Sequence, residues 1–200
     1  QTLAELIQYT WYPGFEGEPF PLEQGAAGVR GFVNALKAES ERCGARVVHL
    51  AARVVHERRL NAMLEQTRNK GAALFSIAAT HLDELLNRYG GQGLTVFSDR
   101  QGGREHYGPL LRMMFEQWQL EIVREEDGYA DYRLRRGADV ARVVFCEKAE
   151  GRCMSTAVAS MVSKYLREAL MGRFNAYWQR LVPELKPTAG TTPTACGASR

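Results

Sequence analysis

The spacing of hydrophobic and polar positions changes period several times along the chain, and each change marks an element. From Ala26 to Cys43, Val29, Phe32, Val33 and Leu36 recur at helical spacing. Lys37, Glu39, Glu41 and Arg42 fall mostly outside that stripe, and Gly44 follows as a stop, so a helix is predicted. From Ala45 to His56, Val48, Leu50, Ala52 and Val54 alternate with His49, Arg53 and His56, which predicts a half-buried strand. Helical spacing returns over Glu57–Thr67, with Leu60, Met63 and Leu64 on one face. It returns again over Ala72–Tyr89, through Leu74, Phe75, Ala78, Leu82, Leu85 and Leu86. Asn69-Lys70-Gly71 bends the chain between them, and Gly90-Gly91 ends the second helix.

The apolar run Leu94–Ser98 predicts a strand that delivers Asp99. The Gly102-Gly103 pair allows a tight turn, and Arg104–Phe115 reads as a helix. Gln119–Arg124 and Tyr129–Arg136 flank an Asp127-Gly128 turn, a strong hairpin signal. Gly137-Ala138-Asp139 then leads into the β-branched strand Val140–Cys146. A turn through Glu147–Arg152 precedes a long helix, Ser155–Leu181, closed by Pro183 and Pro187. Residues 2–8 are expected to form a short helix. Residues 9–25 crowd prolines, glycines and aromatics, which forbids regular structure and predicts an ordered loop laying its rings on the core. The functional alternative is an aromatic platform for stacking bases. Residues 188–200 lack periodicity and are expected to be disordered. The order of elements predicts one α/β domain over residues 1–187 with a mixed sheet, followed by that tail.

Composition narrows the class. Hydrophobic content of 45% and charged content of 24% are those of a soluble globular domain, and 200 residues suffice for a core. No run of about 18 apolar residues occurs, so no membrane partner is expected, and no secretory pattern opens the chain. A net charge of +3 permits nucleic-acid binding without requiring it. Cys43, Cys146, Cys153 and Cys196 form no CxxC pair. No His sits at ligand spacing from them either, which argues against zinc, and they read as reduced thiols of a cytoplasmic protein. His49, His56, His81 and His106 are scattered. There is no HExxH, no nucleophile elbow, no P-loop and no dinucleotide fingerprint.

Chemistry concentrates where strands end in carboxylates, because α/β proteins place ligands at carboxyl ends of strands. Asp99 follows one strand. Glu147 and Glu150 follow the other. Carboxylates at adjacent strand ends suit Mg²⁺ or Mn²⁺, which prefer oxygen ligands, and two ions about 4 Å apart suit phosphodiester hydrolysis. The competing reading makes each carboxylate a helix N-cap, with Lys148 as a structural ion-pair partner. Lys164 and Arg167, one turn apart, would either touch phosphates or form a solvated face with a Lys164–Glu168 pair.

The run KAEGRCMSTAVASMVSKYLREALMGRF, residues 148–174, resembles the type 2 ribonucleases H, which read Lys-Ala-Asp, then a small-residue Ala-Ser helix, then a Lys and an Arg-Asp. Glu150 stands at the catalytic Asp of that pattern, with Ala159-Ser160, Lys164 and Arg167-Glu168 in register. The strand ending in Asp99 is similar to the family's Val-Asp-Gly strand, and the Leu185–Gly190 ending fits a divergent branch. The resemblance implies an RNase H-like mixed sheet flanked by helices and a metal-dependent nuclease cutting RNA in RNA–DNA hybrids. Asp99 and Glu150 would be catalytic, joined by Glu147 as ligands of Mg²⁺ or Mn²⁺. Lys148, Lys164, Arg167 and Arg104 would stand beside the nucleic-acid backbone. The chain departs from the family in lacking the N-terminal strand with its Asp-Glu pair, and in carrying Glu150 for Asp. The tail after Gly190 also leaves the family pattern, and this and the missing strand imply a fragment without its central strand, with weak or no activity. The alternative these departures leave open is a non-catalytic RNase H-fold module that binds nucleic acid or protein.

Overall fold

The computed structural model describes residues 8–12 and 26–188. The expectations for residues 2–7, 13–25 and 189–200 lie outside the described residues. Two compact units are present: one gathers residues up to Val54 and from Val162 onward, and the other runs Val55–Met161.

The Val55–Met161 unit holds the sheet. Its elements are α2 (Glu57–Thr67), α3 (Lys70–Tyr89), a 3₁₀ turn at Gly90–Gln92, β1 (Thr95–Asp99), α4 (Gly108–Met114), β2 (Gln119–Glu126), β3 (Tyr129–Arg136) and β4 (Asp139–Cys146). A second 3₁₀ turn, Ala149–Gly151, precedes the long helix that begins at Met154. The strand order is β1-β4-β3-β2. β1 runs parallel to β4, while β4, β3 and β2 form an antiparallel meander. This is an α/β arrangement with a four-stranded mixed sheet flanked by helices. The turn between β2 and β3 is made by Asp127 and Gly128, and Gly128 adopts a left-handed φ of +70°, which explains glycine there.

The core follows from strand periodicity. Ala130, Tyr132 and Leu134 of β3 and Ala141, Val143 and Phe145 of β4 share one face. They pack with Phe75, Ala79, Leu82 and Leu86 of α3 and with Leu111 and Phe115. The rings of Tyr107 and Phe145 stack at 3.7 Å and 4°. On the opposite face, Val144 and Cys146 meet Ala149, Phe97 and Tyr129. β4 is therefore buried on both faces at its carboxyl end, which is why its sequence is an almost unbroken apolar run.

The helix expected over Arg104–Phe115 begins only at Gly108. Residues 104–107 take no regular structure: the Tyr107 N–H is held by the buried Tyr132 hydroxyl at 2.8 Å instead of by a preceding helical turn, and Pro109 favours a helix start there. A larger correction concerns residues 45–56. They form no strand, and Val47, Val48 and Leu50 are 73%, 61% and 58% exposed. Alternation alone does not make a strand; the backbone must also find a ladder partner, and none is present among the described residues.

The other unit contains α1 (Ala26–Cys43), residues 8–12, and the Val162–Leu181 part of α5 (Met154–Leu181). Tyr12, Ala169 and Leu170 form a small core with Tyr9, Trp11 and Val54 around them. Trp11 lies edge-on to Phe174 at 5.5 Å and contacts Tyr177 and Trp178. For residues 9–12 the rings thus anchor the chain rather than form an open platform. The apolar stripe of α1 is exposed: Phe32 at 75%, Val33 at 54% and Leu36 at 55%. Among the described residues, no helix is long and apolar enough to cross a membrane.

Candidate functional site

The parallel pairing of β1 with β4 aligns their carboxyl ends, and Asp99 is the register partner of Cys146. The Arg100 N–H extends the ladder by donating to the Cys146 carbonyl at 3.1 Å. Asp99 is exposed, and its Oδ1 accepts from the Ala149 N–H at 3.3 Å. Glu150 is exposed within the Ala149–Gly151 turn. Burial pushes the Cys146 thiol above its ordinary value, and the nearby carboxylates of Asp99 and Glu150 add to that shift. The structure therefore brings Asp99 and Glu150 to one end of the sheet.

Glu147 reaches the same end but is engaged. Its Oε1 accepts from Arg100 Nη1 at 2.6 Å, and the same nitrogen lies 3.4 Å from Asp127 Oδ1. Arg100 Nη2 donates to the Gly103 carbonyl at 3.0 Å and approaches Glu105 at 3.4 Å. The Arg100 side chain is 15% exposed. Three carboxylates thus converge on one partly buried guanidinium. The loop that makes this possible turns through Gly102 and Gly103, both left-handed at φ +58° and +74°. It is stapled at its far end by Tyr107, whose hydroxyl accepts from the Gln101 N–H at 2.9 Å.

The remaining expected residues are distributed differently. Lys148 takes a left-handed φ of +52° and its side chain is exposed, directly between Glu147 and the Ala149–Gly151 turn. Arg104 is half-buried, and its Nη2 faces Gly71 at the start of α3. Lys164 and Arg167 are exposed and belong to the other unit.

Several groups escaped the sequence reading. Arg100 is one; its only signal was adjacency to Asp99. A second is the chain His106–Glu125–Tyr132. His106 Nδ1 lies 3.0 Å from Glu125 Oε2, and the Tyr132 hydroxyl donates to Glu125 Oε1. Burial, then the Glu125 carboxylate, pushes Tyr132 well above the usual tyrosine range. A third is Cys153, just before α5. Partial burial opposes its ionisation. Hydrogen bonds from the Ser155 and Thr156 hydroxyls and backbone N–H groups outweigh that, so the thiol titrates below its ordinary value.

Mg²⁺ and Mn²⁺ take oxygen ligands, and the exposed carboxylates of Asp99 and Glu150 match them in kind. Glu147 has its Oε1 engaged by Arg100, which leaves Oε2 as the oxygen it could offer to such a set. Among the described residues, no group of three or more His, Cys, Asp or Glu side chains is placed to hold one ion. No family model, curated protein or solved structure matches the chain.

Proposed function

We propose that this chain is a cytoplasmic nuclease domain of the RNase H type that hydrolyses RNA in RNA–DNA hybrids, with Asp99 and Glu150 holding Mg²⁺ or Mn²⁺. The observation that carries this reading is the register pairing of Asp99 with Cys146 on neighbouring parallel strands, which puts both carboxylates at one sheet end. The bound ion would supply an activated water and stabilise the leaving oxygen. The chain's own groups hold the site in place. The Ala149 N–H fixes one oxygen of Asp99 and leaves the other for a ligand. Arg100 gathers Glu147, Asp127 and Glu105, limiting the repulsion a phosphate would meet there. Lys148, next to Glu147 and two residues from Glu150, is an exposed cation for a backbone phosphate. Arg104, Lys164 and Arg167 are assigned to the same substrate on the sequence resemblance.

The test is cleavage of a labelled RNA–DNA hybrid with Mn²⁺ or Mg²⁺, comparing wild type with Asp99→Asn. Metal-dependent cutting that disappears in the variant, with an unchanged circular-dichroism spectrum, supports the assignment. Equal cutting by both proteins would sink it.

A second reading has its own support: Glu147 is already neutralised by Arg100, and no three-ligand group exists among the described residues. On that reading the chain is a non-catalytic module that binds nucleic acid. Hybrid binding with no cutting by the folded wild type selects it.

A further inference from the structure

The sheet face that carries Asp99 also carries a run of arginines. Alternation along the strands puts Arg124 of β2, Arg133 and Arg135 of β3 and Arg142 of β4 on this face, with Tyr129 at its carboxyl-end corner. All four arginine side chains are between 39% and 60% exposed. Arg152 joins them, its guanidinium lying 5.9 Å from the centre of the Tyr129 ring, with Arg124 at 5.5 Å from the same ring. Against these five cations stand four carboxylates, Asp99 at the sheet end and three that pair with the arginines. Glu121 pairs with Arg133 at 3.0 Å and lies 3.7 Å from Arg135. Glu126 pairs with Arg124 at 2.6 Å, and Asp131 with Arg142 at 2.5 Å.

Two features make this more than a solvated face. First, Arg133 is the direct cross-strand partner of Arg142, and like charges set opposite each other destabilise a sheet. Glu121 and Asp131 each offset one of the two charges, and a phosphate bridging the remaining donors of both arginines would offset them further. Second, a guanidinium has five N–H donors and a carboxylate takes two of them at most in a fork, so the paired arginines keep donors for phosphate oxygens. Arg133 and Arg135, two residues apart on one strand, stand about 7 Å from each other along it. That is close to the separation of successive phosphates on a nucleic-acid strand.

We propose that this arginine-lined face is the track for the phosphate backbone of an RNA–DNA hybrid, leading it to the Asp99 end of the sheet. The occupant is a polyanion because half-exposed arginines with unused donors stand in a row across the face, and because Tyr129 among them offers a ring for a base or sugar edge. This inference rests on the nucleic-acid reading above, but not on catalysis.

The test is fluorescence anisotropy with a fluorescein-labelled RNA–DNA hybrid, titrated over a series of salt concentrations. The variant is Arg133→Gln/Arg135→Gln, which leaves only the exposed Glu121 without its partners. Arg133→Lys/Arg135→Lys retains the charge and serves as the second variant. The Gln variant should bind roughly tenfold more weakly and lose about 2 from the slope of log K against log salt, near 0.9 per phosphate contact. The Lys variant should keep the slope. If the Gln variant matches wild type in affinity and slope while wild type still cuts the hybrid, this inference falls and the nuclease reading stands. If the Gln variant loses binding but wild type never cuts, the track stands and the nuclease reading falls. No hybrid binding by folded wild type overturns both.

Discussion

Asp131 is 2% exposed, and Arg142 engages both its oxygens, Nε to Oδ1 at 2.9 Å and Nη2 to Oδ2 at 2.5 Å. Arg142→Met would leave that carboxylate inside the sheet unit without its cation. Breaking a fully buried pair from one side costs about 3–5 kcal/mol, because the surviving charge is uncompensated. Here the Arg142 side chain is 49% exposed, so water screens part of the attraction. About 2–3 kcal/mol is the appropriate figure after that discount. With a urea m-value of about 2 kcal/mol/M, the unfolding midpoint should fall by roughly 1–1.5 M. The assay is urea unfolding followed by tryptophan fluorescence in a Trp11→Phe/Trp178→Phe background. There Trp118, buried in the sheet unit's core, is the remaining reporter. Adding Asp131→Asn to Arg142→Met removes the stranded charge and should recover about half the loss. If Arg142→Met costs no more than about 0.5 kcal/mol, the range of an ordinary surface change, the reasoning is refuted.

Two more predictions follow from close contacts. Gly90→Ala keeps a compatible backbone, since Gly90 sits at φ −55°, but its new Cβ would stand 2.7 Å from Cη2 of Trp118. Trp118 is 3% exposed and capped by Arg136 at 4.4 Å, so it has little room to yield, and the variant should lose about 1–2 kcal/mol with a shifted Trp118 emission; a stabilised variant contradicts this. Cys153, with its lowered titration, should react with iodoacetamide near neutral pH faster than exposed Cys43, while buried Cys146 stays protected. Because the native thiol ionises below its unfolded value, its contribution to stability is present above the unfolded titration and is lost as pH falls through the native one. Mass spectrometry that finds Cys43 labelled first would show the reasoning to be wrong.

Local signals carried most of the sheet unit. The Asp127-Gly128 turn between alternating segments gave β2 and β3, and helical spacing gave α2 with its observed bounds and α3 from Ala72, two residues inside its observed start at Lys70. Both acidic strand ends were legible because a carboxylate after an apolar run needs no partner to be seen. Their meeting was expected from adjacent strand ends, and it depends on β1 pairing with β4 across the whole meander. The false strand at 45–56 arose where such pairing is missing: periodicity reports which face would be buried, and pairing decides whether anything buries it. Arg100 was invisible because its role comes from three carboxylates brought to it by three separate turns and loops. The α1 stripe shows the converse, a sound helical pattern whose apolar face stays exposed.

The two borders of the sheet are unlike in their openness to growth. β2 forms one border, and it carries Glu121, Arg124, Glu125 and Glu126 together with a register break between Ile122 and Arg124. Charges and a bulge on an outer strand interrupt the regular row of donors and acceptors that a foreign strand would need, so this border resists self-association. β1 forms the other border. It is five residues long, without a bulge, and with its charge confined to Asp99 at its end. Among the described residues, the β1 border is therefore the one open to a further strand, next to the carboxylates.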